Sequence, residues 1–365
     1  MKIAFRVDAG TEIGRGHLSR CLAIATEAKK QGVTQCYFLM REHNGHFSSE
    51  VEKFGFGVIN IPLAFIPDYG NANYCDWVGG CSNEDADFFL SALKCLGFSK
   101  DDWVVIDHYG LNDSYERRFV NEGYKVCVID DLVNRKHQCN LLIDQTCGRL
   151  ADEYSTLINA DTIILAGERF CMLRPEFPEY REFALNRRKG FKLIEQVFVN
   201  FGSTDPSNIT TKVISDIDSY CFSNGISIKL AVGSACPHIR AINKQIQNAQ
   251  ADIELLVDAN NVAKLMSEAD IAIGAAGSAT WERCVLGLPT ILVKTAENQS
   301  DVVNKVVSYN AAIYHDLNAV HQAELFERAI ESVVHNYSEI SQNASSLVDG
   351  QGLQRVINHI LSWEG

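Results

Sequence analysis

The chain has 365 residues, which is long for one hydrophobic core, so we expect two domains of ordinary size. Its formal charge of −13 argues against nucleic acid and against an anionic membrane surface as partners, because both attract a basic protein face. An acidic protein can still bind a phosphorylated small molecule through helix N-termini and a few local cations.

The twelve cysteines favour a reducing compartment. None is spaced as C-x-x-C, and several lie inside apolar runs, among them Cys21, Cys127 and Cys284. Buried reduced thiols fit this pattern, whereas zinc sites and disulfide frameworks require clustered cysteines. The N-terminus has no basic and apolar leader, and no apolar run is long enough to span a bilayer. We therefore expect a cytoplasmic protein without membrane insertion.

The first strand and helix enclose a candidate ligand-binding turn. Residues 3–7 read as a buried strand, and apolar residues then recur at helical spacing up to Gly32. The turn between them contains Gly14 and Gly16 and ends at His17. Glycines let a ligand approach the backbone closely, and an imidazole at the helix N-terminus can accept a proton at neutral pH. The alternative is a helix-capping or merely exposed histidine.

The rest of the first half alternates between strands and helices, which predicts a doubly wound parallel sheet. The predicted strands are 36–40, 57–62, 103–106, the KVCVI run at 125–129, 141–144 and 163–166. The predicted helices are 47–54, 84–97 and 112–122. The Gly-, Asn- and Asp-rich stretch 68–83 is a long loop, which we interpret as a surface insertion with a functional lid as the alternative.

Polar residues follow two of these strands. Asp107, His108 and Tyr109 come after strand 103–106, on the same edge as His17 if the sheet is parallel. We interpret His108 as a hydrogen-bonded scaffold residue. Asp107 either binds substrate or fixes Tyr109 or a loop backbone. Asp130 and Asp131 resemble a metal pair, but acids at strand ends also cap turns, so we place both outside the site.

A second alternating series begins after residues 169–189, which carry two prolines and a cationic run and which we interpret as a connecting segment. The predicted strands are 196–201, 228–232, 253–257, 271–273 and 290–294, with a helix from Ile209, a short helix at 262–266 and helices to the end. We expect domains at 1–180 and 190–365, with the last helix able to pack back on the first, and a cleft between their strand ends.

The strongest local signal lies in the second domain. Strand 271–273 runs into the small residues 274–277, whose N–H groups a diphosphate can reach, and Ser278 adds a hydroxyl. Glu282 follows one helical turn later, where its carboxylate suits a ribose diol. Its alternative role is to complement the helix dipole.

Several motifs together resemble a known family. These are D-x-G-x-x-I-G-x-G-H at 8–17, I-D-H-Y-G at 106–110, N-F-G-S-T-D at 200–205, the glycine turn with Glu282, and the later Asn298–Gln299 pair. The chain resembles the two-domain UDP-sugar glycosyltransferases of the B type. Within that group it is similar to the UDP-2,4-diacetamido-2,4,6-trideoxy-β-L-altropyranose hydrolases, which release UDP in pseudaminic acid biosynthesis.

The resemblance implies two doubly wound Rossmann-like domains facing a cleft, with His17 as general base and Tyr109 as its helper at the sugar. The positions it implies for substrate and UDP binding are Gly14, Gly16, Asp107, Gly202, Ser203, Asp205, Val257, Gly277, Ser278, Glu282, Asn298 and Gln299. Uracil would lie against the backbone near Val257. Two features depart from the family: Trp281 stands beside Glu282 where a smaller residue is expected, and loop 68–83 is longer than the family needs.

The implied reaction is attack of water on the anomeric carbon with departure of UDP, without metal or other cofactor and without a second carboxylic acid. The partner is then a small nucleotide-sugar, and nothing in the chain demands an oligomer, so we expect a monomer. The alternatives are a UDP-sugar glycosyltransferase of the MurG-like type and a non-catalytic nucleotide-sugar-binding protein. An apolar patch with a basic rim, typical of a membrane-associated transferase, is not evident in residues 1–150.

Overall fold

The computed structural model describes residues 1–70, 74–296, 299–318 and 322–363. Contacts divide the chain into two compact units, Met1–Arg174 with Gln351–Gly365 and Pro175–Gly350. Each unit is an α/β domain built on a parallel sheet. None of the helices in the described part of the chain has the length and apolar character that a bilayer crossing requires.

The described part of the first unit contains a seven-stranded parallel sheet. Its strands are β1 (Lys2–Val7), β2 (Gln35–Arg41), β3 (Gly57–Ile61), β4 (Trp103–Asp107), β5 (Lys125–Ile129), β6 (Leu141–Asp144) and β7 (Ile163–Ala166). The helices of its first segment are α1 (Gly16–Lys30), α2 (Ser48–Lys53), α3 (Ser82–Cys95) and α4 (Asp113–Asn121). All the strands expected in this half are confirmed.

The order of these strands fixes where a ligand would bind. The sheet runs β3-β2-β1-β4-β5-β6-β7, so the chain moves outward from β1 in one direction and then crosses to β4 on the other side. Open parallel sheets bind ligands where the strand order reverses, beyond the carboxyl ends of the two strands concerned. Here those strands are β1 and β4, and their pairing sets Val7 opposite Asp107.

The second unit repeats this topology over β8 (Gln196–Asn200), β9 (Ser227–Val232), β10 (Ile253–Val257), β11 (Ile271–Ala275), β12 (Thr290–Val293) and β13 (Ile313–His315). The strand order is β10-β9-β8-β11-β12-β13, which places the reversal between β8 and β11. The helices assigned after α4 are α5 (Glu176–Lys189), α6 (Ile209–Ser223), α7 (Ile239–Asn248), α8 (Val262–Glu268), α9 (Ala279–Val285), α10 (Ser300–Ser308), α11 (Gln322–His335), α12 (Tyr337–Leu347) and α13 (Gly352–Leu361).

Three expectations about this half are corrected. Most of the segment interpreted as a connection is helix α5, which belongs to the second unit and buries Phe177 and Ala184 although half of its residues are charged. Strand β13 was missed, because three residues are too few to show a period of two. Helix α7, which the sequence reading did not assign, joins β9 to β10.

Helix α13 returns the end of the chain to the first unit. It packs on α1, and its apolar side chains, including Ile357 and Ile360, lie in the same core cluster as β1 and β4. The indole Nε1 of Trp103 donates to the carbonyl of Ile360 at 3.1 Å. The final helix therefore completes the core beneath the β1–β4 pair.

We expect Ile357→Ala to destabilise the first unit by about 2–5 kcal/mol, because Ile357 is fully buried and its truncation leaves a cavity. Urea unfolding followed by tryptophan fluorescence measures this change through Trp103 and Trp363, which lie 5.3 Å apart. The exposed neighbour His359→Ala serves as the control. Equal stability of the two variants would contradict this packing role for α13.

Candidate functional site

His17 lies in the first turn of α1, directly beyond the carboxyl end of β1. Gly14 has φ +82, a conformation that favours glycine, and its N–H donates to the carbonyl of Gly10 at 2.8 Å. A Cβ added to Gly14 or Gly16 would meet no protein atom within 4 Å, so the space in front of both is open. No side chain caps the N-terminus of α1, and no acid lies in its first turn.

A buried carboxylate holds His17 in place. Oδ1 of Asp107, at the end of β4, lies 2.6 Å from His17 Nδ1. Arg20, one helical turn after His17, donates to both oxygens of the same carboxylate at 2.6 and 2.7 Å. Asp107 is fully buried, so Arg20 supplies the opposite charge that a buried carboxylate requires.

This arrangement sets the charge of Asp107 and the tautomer of His17. Burial alone would raise the pKa of Asp107, but the Arg20 guanidinium and the His17 ring together lower it below its usual range. Arg20 Nη2 also lies 3.1 Å from His17 Nδ1 and by itself would favour a lone pair there. A lone pair facing a carboxylate oxygen at 2.6 Å would be strongly repelled, so we assign the proton to Nδ1. Nε2 then carries the lone pair.

Asp107 was expected to bind substrate or to fix Tyr109 or a loop backbone. In the structure both oxygens are engaged by His17 and Arg20 and no surface of Asp107 remains accessible, while a contact with substrate stays a prediction. Asp107 is a positioning residue for His17. Sequence reasoning also missed Arg20, although its position three residues after His17 places both on one face of the helix.

Tyr109 lies against His17, with the two rings edge to face at 4.5 Å between centroids. Its hydroxyl donates to Asp131 Oδ1 at 2.6 Å, and Arg20 Nη1 donates to Asp131 Oδ2 at 3.2 Å. Burial and the Asp131 carboxylate raise the pKa of Tyr109, so its hydroxyl stays protonated. Asp131, which we had placed outside the site, thus connects Tyr109 to Arg20.

The neighbouring Asp130 has a structural role. It is fully buried and faces Arg135 at 2.7 Å, His137 at 3.6 Å and the hydroxyl of Tyr154 at 3.3 Å. It also accepts weak hydrogen bonds from the turn that follows β5. In the described residues, no three His, Cys, Asp or Glu side chains are grouped as metal ligands would be. The interpretation of Asp130 as a turn-capping acid fits these contacts.

The contacts of His108 fit its interpretation as a hydrogen-bonded scaffold residue. It is buried, and its Nδ1 accepts the N–H of Gly110 at 2.9 Å. Its Nε2 lies 3.2 Å from Asp8 Oδ2, a close electrostatic contact without well-directed hydrogen-bond geometry. Burial lowers the pKa of His108, which favours the neutral ring.

In the second unit, one group of expected residues follows β8. Gly202 has φ +93, and Gly202 and Ser203 are exposed at the point where the strand order reverses. Asp205 is different: it is buried, and its two oxygens accept the N–H groups of Ile209 and Thr210 at 3.0 and 2.9 Å. It caps α6 in this way, and the expectation that it also binds a ligand stays a prediction.

The other group follows β11, the strand beside β8. Gly277 and Ser278 form the turn into α9, and a Cβ added to Gly277 would meet no protein atom within 4 Å. Trp281 is buried whereas Glu282 is partly exposed, because consecutive helical residues face different directions. Trp281 therefore packs into the unit, on a different side of α9 from Glu282.

Arg283 lies buried behind this turn, and sequence reasoning missed it. Its Nη2 donates to the carbonyl of Ala275 at 2.7 Å and to Thr280 Oγ1 at 3.2 Å. Burial lowers its pKa to about 10, so the guanidinium remains charged at neutral pH. A fixed positive charge beneath a glycine turn favours an anion on the turn.

The remaining expected residues lie at other strand ends. Val257 ends β10 and is 44% exposed, which leaves an apolar surface at that position. Gln299 precedes α10, and its Oε1 accepts the N–H of Thr295 at 2.9 Å, so it ties the β12–α10 loop together. Asn298 lies outside the described residues.

Because Asp205 caps a helix, we expect Asp205→Ala to destabilise the second unit by about 1 kcal/mol and to leave UDP affinity unchanged. Asp205→Asn should restore only part of the stability, since its single amide oxygen can accept one of these two N–H groups while its NH2 group faces the other. Thermal unfolding and calorimetric titration with UDP measure the two quantities, with the exposed Ser207→Ala as control. A large loss of UDP affinity at full stability would restore Asp205 to the ligand site.

Comparison with known proteins bears on the whole chain. Residues 196–359 match the Glycosyltransferase family 28 C-terminal domain. An uncharacterized protein of Methanocaldococcus jannaschii is 24% identical over 306 residues, which cover 82% of this chain and 57% of that protein. The UDP-2,4-diacetamido-2,4,6-trideoxy-beta-L-altropyranose hydrolase of Campylobacter jejuni is 25% identical over 287 residues, which cover 78% of this chain and 89% of the hydrolase. The chain thus spans little more than half of the archaeal relative and most of the bacterial one.

Among solved structures, MurG of Acinetobacter baumannii superposes with a TM-score of 0.67 at 14% identity, covering 99% of both chains. Likeness at this identity establishes the fold alone. Together with the two reversing parallel sheets, it shows an α/β protein with two Rossmann-like halves and the fold of the B-type glycosyltransferases.

Proposed function

We propose that this protein hydrolyses a UDP-linked diacetamido-trideoxy hexose, UDP-2,4-diacetamido-2,4,6-trideoxy-β-L-altropyranose, at the anomeric C–O bond. The products are UDP and the free sugar, which enters pseudaminic acid biosynthesis. Similarity to the Campylobacter hydrolase over most of both chains supports the substrate class. The match of residues 196–359 to a glycosyltransferase domain supports the use of a nucleotide-sugar.

The observation that carries the proposal is the contact of 2.6 Å between His17 Nδ1 and the buried Asp107 carboxylate. A histidine whose Nδ1–H is held by a carboxylate presents the lone pair of Nε2, as a general base requires. When Nε2 takes a proton from water, the Asp107 charge stabilises the imidazolium that forms. A sensor protein without catalysis would have no use for this oriented base.

The leaving group is the diphosphate of UDP, for which we propose the turn of residues 274–278. The open space at Gly277, the exposed Ser278 and the charge of Arg283 behind the turn would stabilise the negative charge that grows as the C–O bond breaks. Glu282 would bind the ribose diol, and uracil would lie near Val257. UDP is a good leaving group, so no second carboxylic acid of the glycosidase type is needed.

Tyr109 would contact the sugar beside His17, since its ring lies edge to face with the imidazole. Its hydroxyl is fixed by Asp131, and its raised pKa keeps it a donor. Water activated by His17 would attack the anomeric carbon from the face opposite UDP. A single displacement of this kind inverts the configuration at that carbon.

We expect His17→Asn to lower the rate of UDP release by roughly 10²–10⁴-fold, the usual contribution of a general base. UDP affinity should stay unchanged, because the proposed UDP contacts lie in the other unit. The rate is measured with the diacetamido-trideoxy UDP-sugar in the absence of any acceptor, and the affinity by calorimetry. The exposed His335→Asn is the matched control.

Turnover of His17→Asn at the rate of the control would overturn the role of His17. A wild-type enzyme that releases UDP only when an acceptor alcohol is added would instead be a glycosyltransferase on the same fold. Tight UDP-sugar binding without release under either condition would identify a binding protein.

A further inference from the structure

The segment that joins β3 to α3 carries aromatic side chains to the edge of the site. This segment contains a short 3₁₀ helix, Tyr74–Val78. Residues 71–73 of the segment lie outside the described part of the chain. Tyr74 and Trp77 lie 5.0 and 6.2 Å from the ring of Tyr109. Tyr69 lies 6.2 Å from Trp77 and extends the group. We call Tyr69, Tyr74, Trp77 and Tyr109 the aromatic cluster.

Close packing shows that this segment is built against the site. A Cβ on Gly110, the residue after Tyr109, would overlap the carbonyl of Tyr74. A Cβ on Gly79 would overlap the side chain of Leu63, and one on Gly80 would lie 2.9 Å from the guanidinium of Arg41. The Gly79 contact packs the segment against itself, whereas the Gly110 and Gly80 contacts pack it against the turn after β4 and against Arg41 of β2, as a loosely attached surface insertion would not require.

Buried polar groups anchor the same segment. The Tyr69 hydroxyl lies 2.6 Å from His43 Nδ1, and His43 Nε2 lies 3.3 Å from Asp8 Oδ2. His108 contacts that oxygen from the other side, and Arg6 binds Asp8 at 2.7 and 3.0 Å. The aromatic cluster is thus fastened at Tyr69 to a buried charge network beneath β1 and β4.

The members of the aromatic cluster remain partly exposed, and Tyr109 of the cluster also touches His17. Aromatic rings at this position offer apolar faces to whatever reacts at His17. In the proposed sugar C2 and C4 carry acetamido groups, and C6 is a methyl group that presents only C–H bonds, whereas a hexose with a free hydroxymethyl group is more polar at C6.

We propose that the aromatic cluster binds the apolar part of the sugar around its C6 methyl group and thereby selects 6-deoxy hexoses over hexoses with a free hydroxymethyl group. This inference rests on the proposed function, because it needs a sugar at His17. It gives loop 68–83 a role in substrate selection in place of that of a surface insertion. The loop contributes Tyr69, Tyr74 and Trp77 to the cluster, and of these Tyr74 and Trp77 lie beside Tyr109.

The test compares binding of UDP, the diacetamido-trideoxy UDP-sugar and UDP-N-acetylglucosamine, all in the slow His17→Asn background. The affinity ratio between each UDP-sugar and UDP isolates the contribution of the sugar. We expect Trp77→Ala to lower the ratio for the deoxy sugar roughly tenfold, with UDP affinity unchanged, and to reduce the preference over UDP-N-acetylglucosamine. Trp77→Phe should retain most of the effect.

Phe65→Ala is the matched control, since Phe65 lies in the same segment, is 49% exposed and contacts no member of the cluster in the described ring pairs. Tyr74→Ala provides a second variant if Trp77→Ala unfolds. Unchanged ratios in folded Trp77→Ala and Tyr74→Ala would overturn the inference, even if the wild-type enzyme releases UDP. If these variants lower the ratio of UDP-sugar affinity to UDP affinity but the wild-type protein never releases UDP, the role of the aromatic cluster in sugar binding is supported and the proposed hydrolysis is overturned.

Discussion

The buried carboxylate of Asp107 is the interaction on which the candidate site depends. It is removed from water at the end of a central strand, and Arg20 makes that burial tolerable by binding both of its oxygens. The remaining contact orients His17. A single carboxylate therefore couples the fold, through the β1–β4 pair, to the protonation state of the residue proposed to activate water.

The strand order explains why the candidate residues occur where they do. In each unit the order in which strands are added to the parallel sheet reverses between the first and the fourth strand. The residues at and after the ends of these two strands include the candidate groups. In the first unit they supply His17 and Asp107, which we propose hold and move a proton. In the second they supply exposed glycines and a serine, which suit an anion. One topology, used twice, thus serves two different chemical tasks.

The sequence predicted the sheets well because central parallel strands are continuous apolar runs, and it placed the glycine turns of the candidate site at strand ends, where the structure has them. It could not assign different contacts to Asp130 and Asp131, because the direction in which each of two adjacent side chains points depends on the residues that pack around them. It did not show that the Asp205 carboxylate caps α6, since an acid after a strand suits a helix cap and a ligand contact equally. It also missed Arg283, whose burial is decided by tertiary packing, and it could not foresee that the aromatic residues of loop 68–83 meet Tyr109.

The most direct test of the account follows the oxygen of water. If His17 activates water for attack on the anomeric carbon, hydrolysis of the diacetamido-trideoxy UDP-sugar in heavy-oxygen water places the label in the free sugar and none in UDP. Mass spectrometry of both products measures this, and NMR before mutarotation should show the inverted anomer first. Label in the phosphate of UDP would mean attack on phosphorus and would contradict the role assigned here to His17 and Asp107.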